Sequence, residues 1–165
     1  MREQCSFCGQ YMVMPYGRQD AEVLLVGEFP GEEEMKVGVP FVGEAGHILE
    51  YELMKAGLDI NQCRLTNLWL HPKNKEALCF EQSIKSLTLE MAGRKCLLMG
   101  SELAKYFMNN GIMDWSGLEV HSPLFPRSMK FAMMSPNPAQ ALHQPLGELR
   151  LAINKFVRRG KDGGQ

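Results

Sequence analysis

Two short aliphatic runs, each stopped by a glycine and followed by a helical pattern, limit what this chain can fold into more than any other feature. Ala21-Glu22-Val23-Leu24-Leu25-Val26 ends at Gly27, and Lys95-Cys96-Leu97-Leu98-Met99 ends at Gly100. Short aliphatic runs without polar alternation belong to strands covered on both faces. Helical spacing follows each of them: Ile48, Leu49, Leu53 and Met54 within Ala45 to Lys55, and then Ser101 to Met108. Further strands are expected at Cys63 to Leu70 and Lys130 to Met134, with an edge strand at Gly117 to His121. Helices are expected over 78–92 and over Leu146 to Val157. Strands that alternate with helices predict an α/β fold with a mostly parallel sheet. Ligands in such folds sit beyond the carboxyl ends of the strands, so the turn-rich segments 27–42 and 135–145 are the places to search.

A chain of 165 residues is long enough for one core. We expect a single domain over residues 1–160 and a flexible tail over 161–165. No apolar run approaches the roughly 18 residues of a membrane span. The start Met1-Arg2-Glu3-Gln4-Cys5 also lacks the basic-then-apolar pattern of a secretory signal. Both point to a cytoplasmic, intracellular protein with no membrane partner, whose five cysteines are thiols or metal ligands. A formal net charge of −1 gives no general footprint for nucleic acid, so any such contact must be local. The basic group Arg150, Lys155, Arg158, Arg159 and Lys161 reads as a solvated helix face.

The chemistry concentrates in one long loop. Gly27-Glu28-Phe29-Pro30-Gly31-Glu32-Glu33-Glu34, followed by Gly38-Val39-Pro40-Phe41-Val42-Gly43-Glu44-Ala45-Gly46, joins a strand to a helix. Its glycines and prolines hold backbone N–H groups and carboxylates over the end of a sheet. From the residues alone it is either a binding loop or an irregular helix cap, Phe41 is core or stacking surface, and Asn67 is turn or polar reader. The whole stretch resembles the first motif of family-four uracil-DNA glycosylases, where Gly-Glu-Ala-Pro-Gly with downstream acids precedes Gly-Arg-Pro-Phe-Val-Gly-x-Ala-Gly. The resemblance continues through Gly57-Leu58-Asp59, Thr66-Asn67 and Met99-Gly100-Ser101-Glu102-Leu103-Ala104.

That resemblance implies a three-layer α/β/α fold around a central, mostly parallel, four-stranded sheet. It implies a monomeric DNA-repair enzyme that extrudes a nucleotide and hydrolyses the bond between the sugar and uracil or a related modified pyrimidine. Residue by residue, Phe41 stacks on the base, Asn67 reads its polar edge, and Glu28 or Glu34 organises the attacking water. Phe29 stands where the family has a small residue and narrows the base pocket. In the best register of the second motif, Asn137 takes the place of a catalytic histidine, Leu142 is the wedge into the duplex and His143 the phosphate contact. The alternative is a weak or inactive relative that binds DNA or a nucleobase in a regulatory role. Cys5-Ser6-Phe7-Cys8 has metal-ligand spacing. The family completes such a pair with two later cysteines around a 4Fe-4S cluster. Here the corresponding set is Cys5, Cys8, His71 and Cys79, with zinc as the alternative metal and Cys96 as a substitute ligand or a buried small hydrophobe.

Overall fold

A computed structural model describes residues 2–109 and 115–162. Strands β1 (Tyr16–Gly17), β2 (Val23–Gly27), β3 (Arg64–Asn67), β4 (Lys95–Met99), β5 (Glu119–Val120) and β6 (Phe131–Ser135) form one sheet in the order β1-β3-β2-β4-β6-β5. The helices are α1 (Glu32–Val37), α2 (Glu44–Lys55), α3 (Ala77–Met91), α4 (Ser101–Met108) and α5 (Gly147–Asp162).

The four central strands β3, β2, β4 and β6 are parallel, and β1 and β5 add antiparallel edges. The expected four-stranded sheet therefore has six strands. The edges contribute two residues each, too few to show a periodicity in the sequence. Alternate residues of the central strands face opposite layers. Leu24, Val26, Cys96, Leu98, Ala132 and Met134 pack with Leu87 and Met91 of α3 and with Leu103 and Phe107 of α4. Leu25, Leu65, Leu97, Met99, Phe131 and Met133 pack with Leu49 and Leu53 of α2 and with Leu149, Ile153 and Phe156 of α5. Each fully buried side chain of this size contributes about 1.5–3 kcal/mol. The two apolar faces explain why these strands lack polar alternation, and they make the fold three layers.

Several boundaries differ from the sequence expectation. The strand expected to reach Leu70 leaves the ladder after Asn67, though the Leu68 and Trp69 N–H groups still donate to Gly27 O (2.8 Å) and Glu28 O (2.9 Å). The loop after β2 contains the short helix α1, which begins with three glutamates and ends at Gly38 in the left-handed conformation (φ 83°). Acids suit a helix amino end and glycine suits its exit. With no buried side chain on α1, no apolar period marks it. Helix α5 extends through Lys161 and Asp162, and residues 163–165 lie outside the described residues. Lys95 Nζ donates to Gly160 O at the amino end of β4, so the basic end of α5 lies opposite the carboxyl ends of the strands. No described helix is long and apolar enough to cross a membrane.

One charged pair clamps α2 to α5. Glu52 is 2% exposed and accepts two hydrogen bonds from Arg150, at 3.0 Å each. The Arg150 hydrogen bonds hold the Glu52 carboxyl below the ordinary carboxylate range, against the opposing effect of burial. The unfolded chain therefore binds this proton at higher pH than the folded one. Its stabilisation is fully present above the ordinary glutamate pKa of about 4.3 and is lost as pH falls through the folded value. Glu52→Gln is expected to lower Tm at neutral pH and to flatten the acid side of a Tm–pH curve followed by circular dichroism. An unchanged acid slope would assign the acid sensitivity to other carboxylates.

Candidate active site and metal centre

Sheet order brings the functional side chains together. Asn67 ends β3, Glu28 follows β2, Gly100 follows β4, and Asn137 lies two residues beyond β6. These four strands are neighbours, so their carboxyl ends share one rim. A cavity of about 200 Å³ opens there, with Glu28, Phe29, Glu34, Phe41, Asn67 and Asn137 in its wall.

Two glycines make the close approaches possible. A Cβ on Gly27 would stand 2.4 Å from Asn67 Oδ1 and 3.1 Å from the Phe41 ring, so only glycine lets amide and ring converge at the end of β2. A Cβ on Gly46 would stand 2.1 Å from Phe41 O, which lets the Phe41 backbone rest on the first turn of α2. Phe41 itself adopts φ 59°. A bulky residue in that left-handed region carries strain of order 1–3 kcal/mol, which is typical of side chains held for function. Asn67 is 4% exposed and lines the cavity, whereas Phe29 is 45% exposed at its rim.

The two candidate carboxylates do different work. Glu34 accepts main-chain N–H groups from Gly31 (3.0 Å), Val42 (2.9 Å) and Gly43 (2.7 Å), and so ties both ends of the loop together. Glu28 lies across the amino end of α4, accepting the Glu102 N–H at 2.7 Å and Asn137 Nδ2 at 2.5 Å. A Cβ on Gly100 would stand 2.4 Å from Glu28 Cδ, so this glycine at φ 131° makes room for the carboxylate. The main-chain donor at Glu102 was not visible in the sequence. Its only signal was a strand stopped by glycine ahead of a helix. Leu142 and His143 are exposed at the end of the 3-10 turn Pro138–Leu142 that follows Asn137.

A second cluster lies beyond Asn67. The ligand atoms of Cys5, Cys8, His71 and Cys79 all fall within 4.8 Å of one another, and all four residues except Cys8 are buried. Cys5 Sγ is 3.6 Å from Cys79 Sγ, and Cys8 Sγ is 3.6 Å from His71 Nε2. His71 Nδ1 lies 2.9 Å from Pro72 O. Donation to that carbonyl leaves Nε2 with its lone pair towards the thiols. The Gln10 and Asn74 side-chain amides point N–H groups at Cys8 Sγ and Cys79 Sγ, each at 3.5 Å. Burial pushes Cys79 up to about 11. At Cys8 burial acts in the same direction, but hydrogen bonds, chiefly from Gln10, outweigh it and leave the thiol below its ordinary value. Three thiols and an imidazole make a soft donor set that fits zinc or iron–sulfur chemistry and not magnesium or calcium. Cys96 is not part of this group. It is fully buried on β4, where burial pushes its thiol up to about 12, and its proposed role as a substitute ligand gives way to packing.

The chain matches the family model of the uracil DNA glycosylase superfamily over residues 14–159. It is 32% identical to the Type-4 uracil-DNA glycosylase of Thermotoga maritima over 182 aligned residues, which cover 96% of this chain and 88% of that protein. A shorter match to the Type-4 uracil-DNA glycosylase of Sulfurisphaera tokodaii is 45% identical over 53 residues, 32% of this chain and 24% of that protein. One to the Archaeoglobus fulgidus enzyme of the same name is 42% identical over 52 residues, 32% of this chain and 26% of that protein. With a parallel α/β sheet, a cavity at its carboxyl rim and this extent of matching, the chain belongs to the uracil-DNA glycosylase superfamily, on its family-four branch.

Proposed function

We propose that this chain is a DNA glycosylase that hydrolyses the N-glycosidic bond of uracil, or of a related modified pyrimidine, after the nucleotide leaves the helix. The observation that carries this reading is the convergence of Glu28, Phe41 and Asn67 on one cavity in a chain of this family. Phe41 stacks on the base, an interaction worth about 1–3 kcal/mol. The Asn67 amide offers one donor and one acceptor to the pyrimidine edge. Glu28 orients the water and stabilises positive charge on the sugar. The water oxygen bonds C1′ as the C1′–N bond breaks, the bonding pair leaves on the base, and the proton from water neutralises it. Glu34 keeps the loop in place. Phe29 narrows the mouth, while Leu142 and His143 meet the duplex and its phosphates. Cys5, Cys8, His71 and Cys79 hold a 4Fe-4S cluster, with zinc as the alternative, and the cluster serves to fix the fold around the site. The enzyme acts as a single domain and a monomer.

A panel of end-labelled oligonucleotides carrying uracil, mismatched thymine or modified pyrimidines tests this reading, scored for abasic sites. Release of one base, reduced about 100-fold or more by Asn67→Ala through lost recognition of its polar edge, is expected. A second reading, a protein that binds a base without cleaving it, is favoured by Asn137 standing where the resemblance places a catalytic histidine. Tight binding across the panel with no abasic product would select it.

A further inference from the structure

Each end of the Asn137 amide makes a hydrogen bond. Its Oδ1 accepts the Ala139 N–H at 2.9 Å, capping the 3-10 turn, and its Nδ2 donates to Glu28 Oε1 at 2.5 Å. Only one orientation of the amide meets both partners, because a flip would turn Nδ2 towards an N–H donor and Oδ1 towards a carboxylate. The other oxygen of Glu28 takes the Glu102 N–H, and the side chain passes over Gly100, where any Cβ would collide with it. Glu28 is thus gripped from β4 and from β6 at once, and the grip from the β6 side is Asn137 alone among the described residues.

We infer that Asn137 acts through Glu28, as the residue that positions this carboxylate, and does not itself read the base. The inference rests on the role proposed above for Glu28. It assigns the segment 137–142 a task in setting carboxylate geometry: the amide that caps the turn also aims Glu28 at the cavity. A charge-assisted hydrogen bond of this kind has a large effect on orientation, and its loss is expected to slow base release about 10- to 100-fold while leaving oligonucleotide affinity within about twofold.

A double-mutant cycle on single-turnover base release, with a uracil-containing oligonucleotide as probe, tests the assignment. Asn137→Ser retains an oxygen that can cap the Ala139 N–H but is too short to reach Glu28, so the turn is expected to stay folded. Asn137→Ala removes both contacts. The combination Asn137→Ser with Glu28→Gln is expected to be no slower than Glu28→Gln alone. Multiplicative losses, or a loss in affinity in place of rate, would overturn the inference. An independent readout needs no activity: in a 15N-edited spectrum the side-chain amide of Asn137 is expected to shift on Glu28→Gln. An unmoved resonance would refute the pairing. A shifted one in a protein that releases no base from any probe would uphold the pairing while overturning the glycosylase reading on which its catalytic meaning depends.

Discussion

Replacing Glu28 by glutamine is expected to lower the single-turnover rate of base release about 1,000-fold with little change in fold. The substitution keeps the side-chain volume, so the approach over Gly100 is preserved. It removes the negative charge proposed to face the sugar as it becomes positive, and its single amide oxygen can accept from only one of the two donors, Asn137 Nδ2 and the Glu102 N–H, leaving its own NH2 against the other. Electrostatic and proton-transfer contributions of single groups in such sites span about 10² to 10⁴ in rate. The mismatch adds a stability cost of about 1–3 kcal/mol, which a thermal melt measures separately. A rate within tenfold of the parent would remove Glu28 from the chemistry.

Cys79→Ala is expected to abolish metal retention and to cost at least about 4 kcal/mol, or roughly 8–16 °C in Tm for a domain of this size. The three remaining donors sit on two segments, Cys5 with Cys8 and then His71 63 positions after Cys8, and without a metal only weak hydrogen bonds hold the two together. The effect reaches the cavity. His71 closes the stretch that begins at Asn67, and the Trp69 N–H two residues earlier holds the main chain of Glu28. Loosening that stretch slackens Glu28, the carboxylate proposed to orient the water, so base release is expected to fall as well. Cys96→Ala is the control: that thiol packs in the sheet, so metal content measured by plasma mass spectrometry is expected to stay at the parent level. Equal metal content in both variants would mean that Cys79 is no ligand.

How far the sequence could be read depended on whether an element has two buried faces. Strands β2 and β4 were clear because their residues pack on both layers and a glycine stops each one. Helix α1 and strands β1 and β5 were hidden because six or two residues bury too little to set a period. At the site, Phe41 and Asn67 were found through their joint spacing in a resemblance, since either alone is as well explained by packing or a turn. The same reading left Glu28 and Glu34 interchangeable. Three main-chain donors on Glu34 separate them, and main-chain groups carry no sequence identity. Likewise Cys5 and Cys8 announced themselves by spacing and His71 and Cys79 through the resemblance, whereas setting Cys96 aside needed the fold, which brings Cys5 and Cys79, 74 positions apart, within 3.6 Å and leaves Cys96 out of the group.

The most direct measurement is base release by the unmodified protein, purified without oxygen and incubated in excess with an end-labelled single strand carrying one uracil, with its visible spectrum recorded on the same sample. Abasic sites at the uracil position, with the broad brown absorbance of an iron–sulfur cluster, are the expected result. Folded, metal-loaded protein that leaves uracil, mismatched thymine and modified pyrimidines all uncleaved would contradict the assignment of this cavity to glycosidic bond hydrolysis.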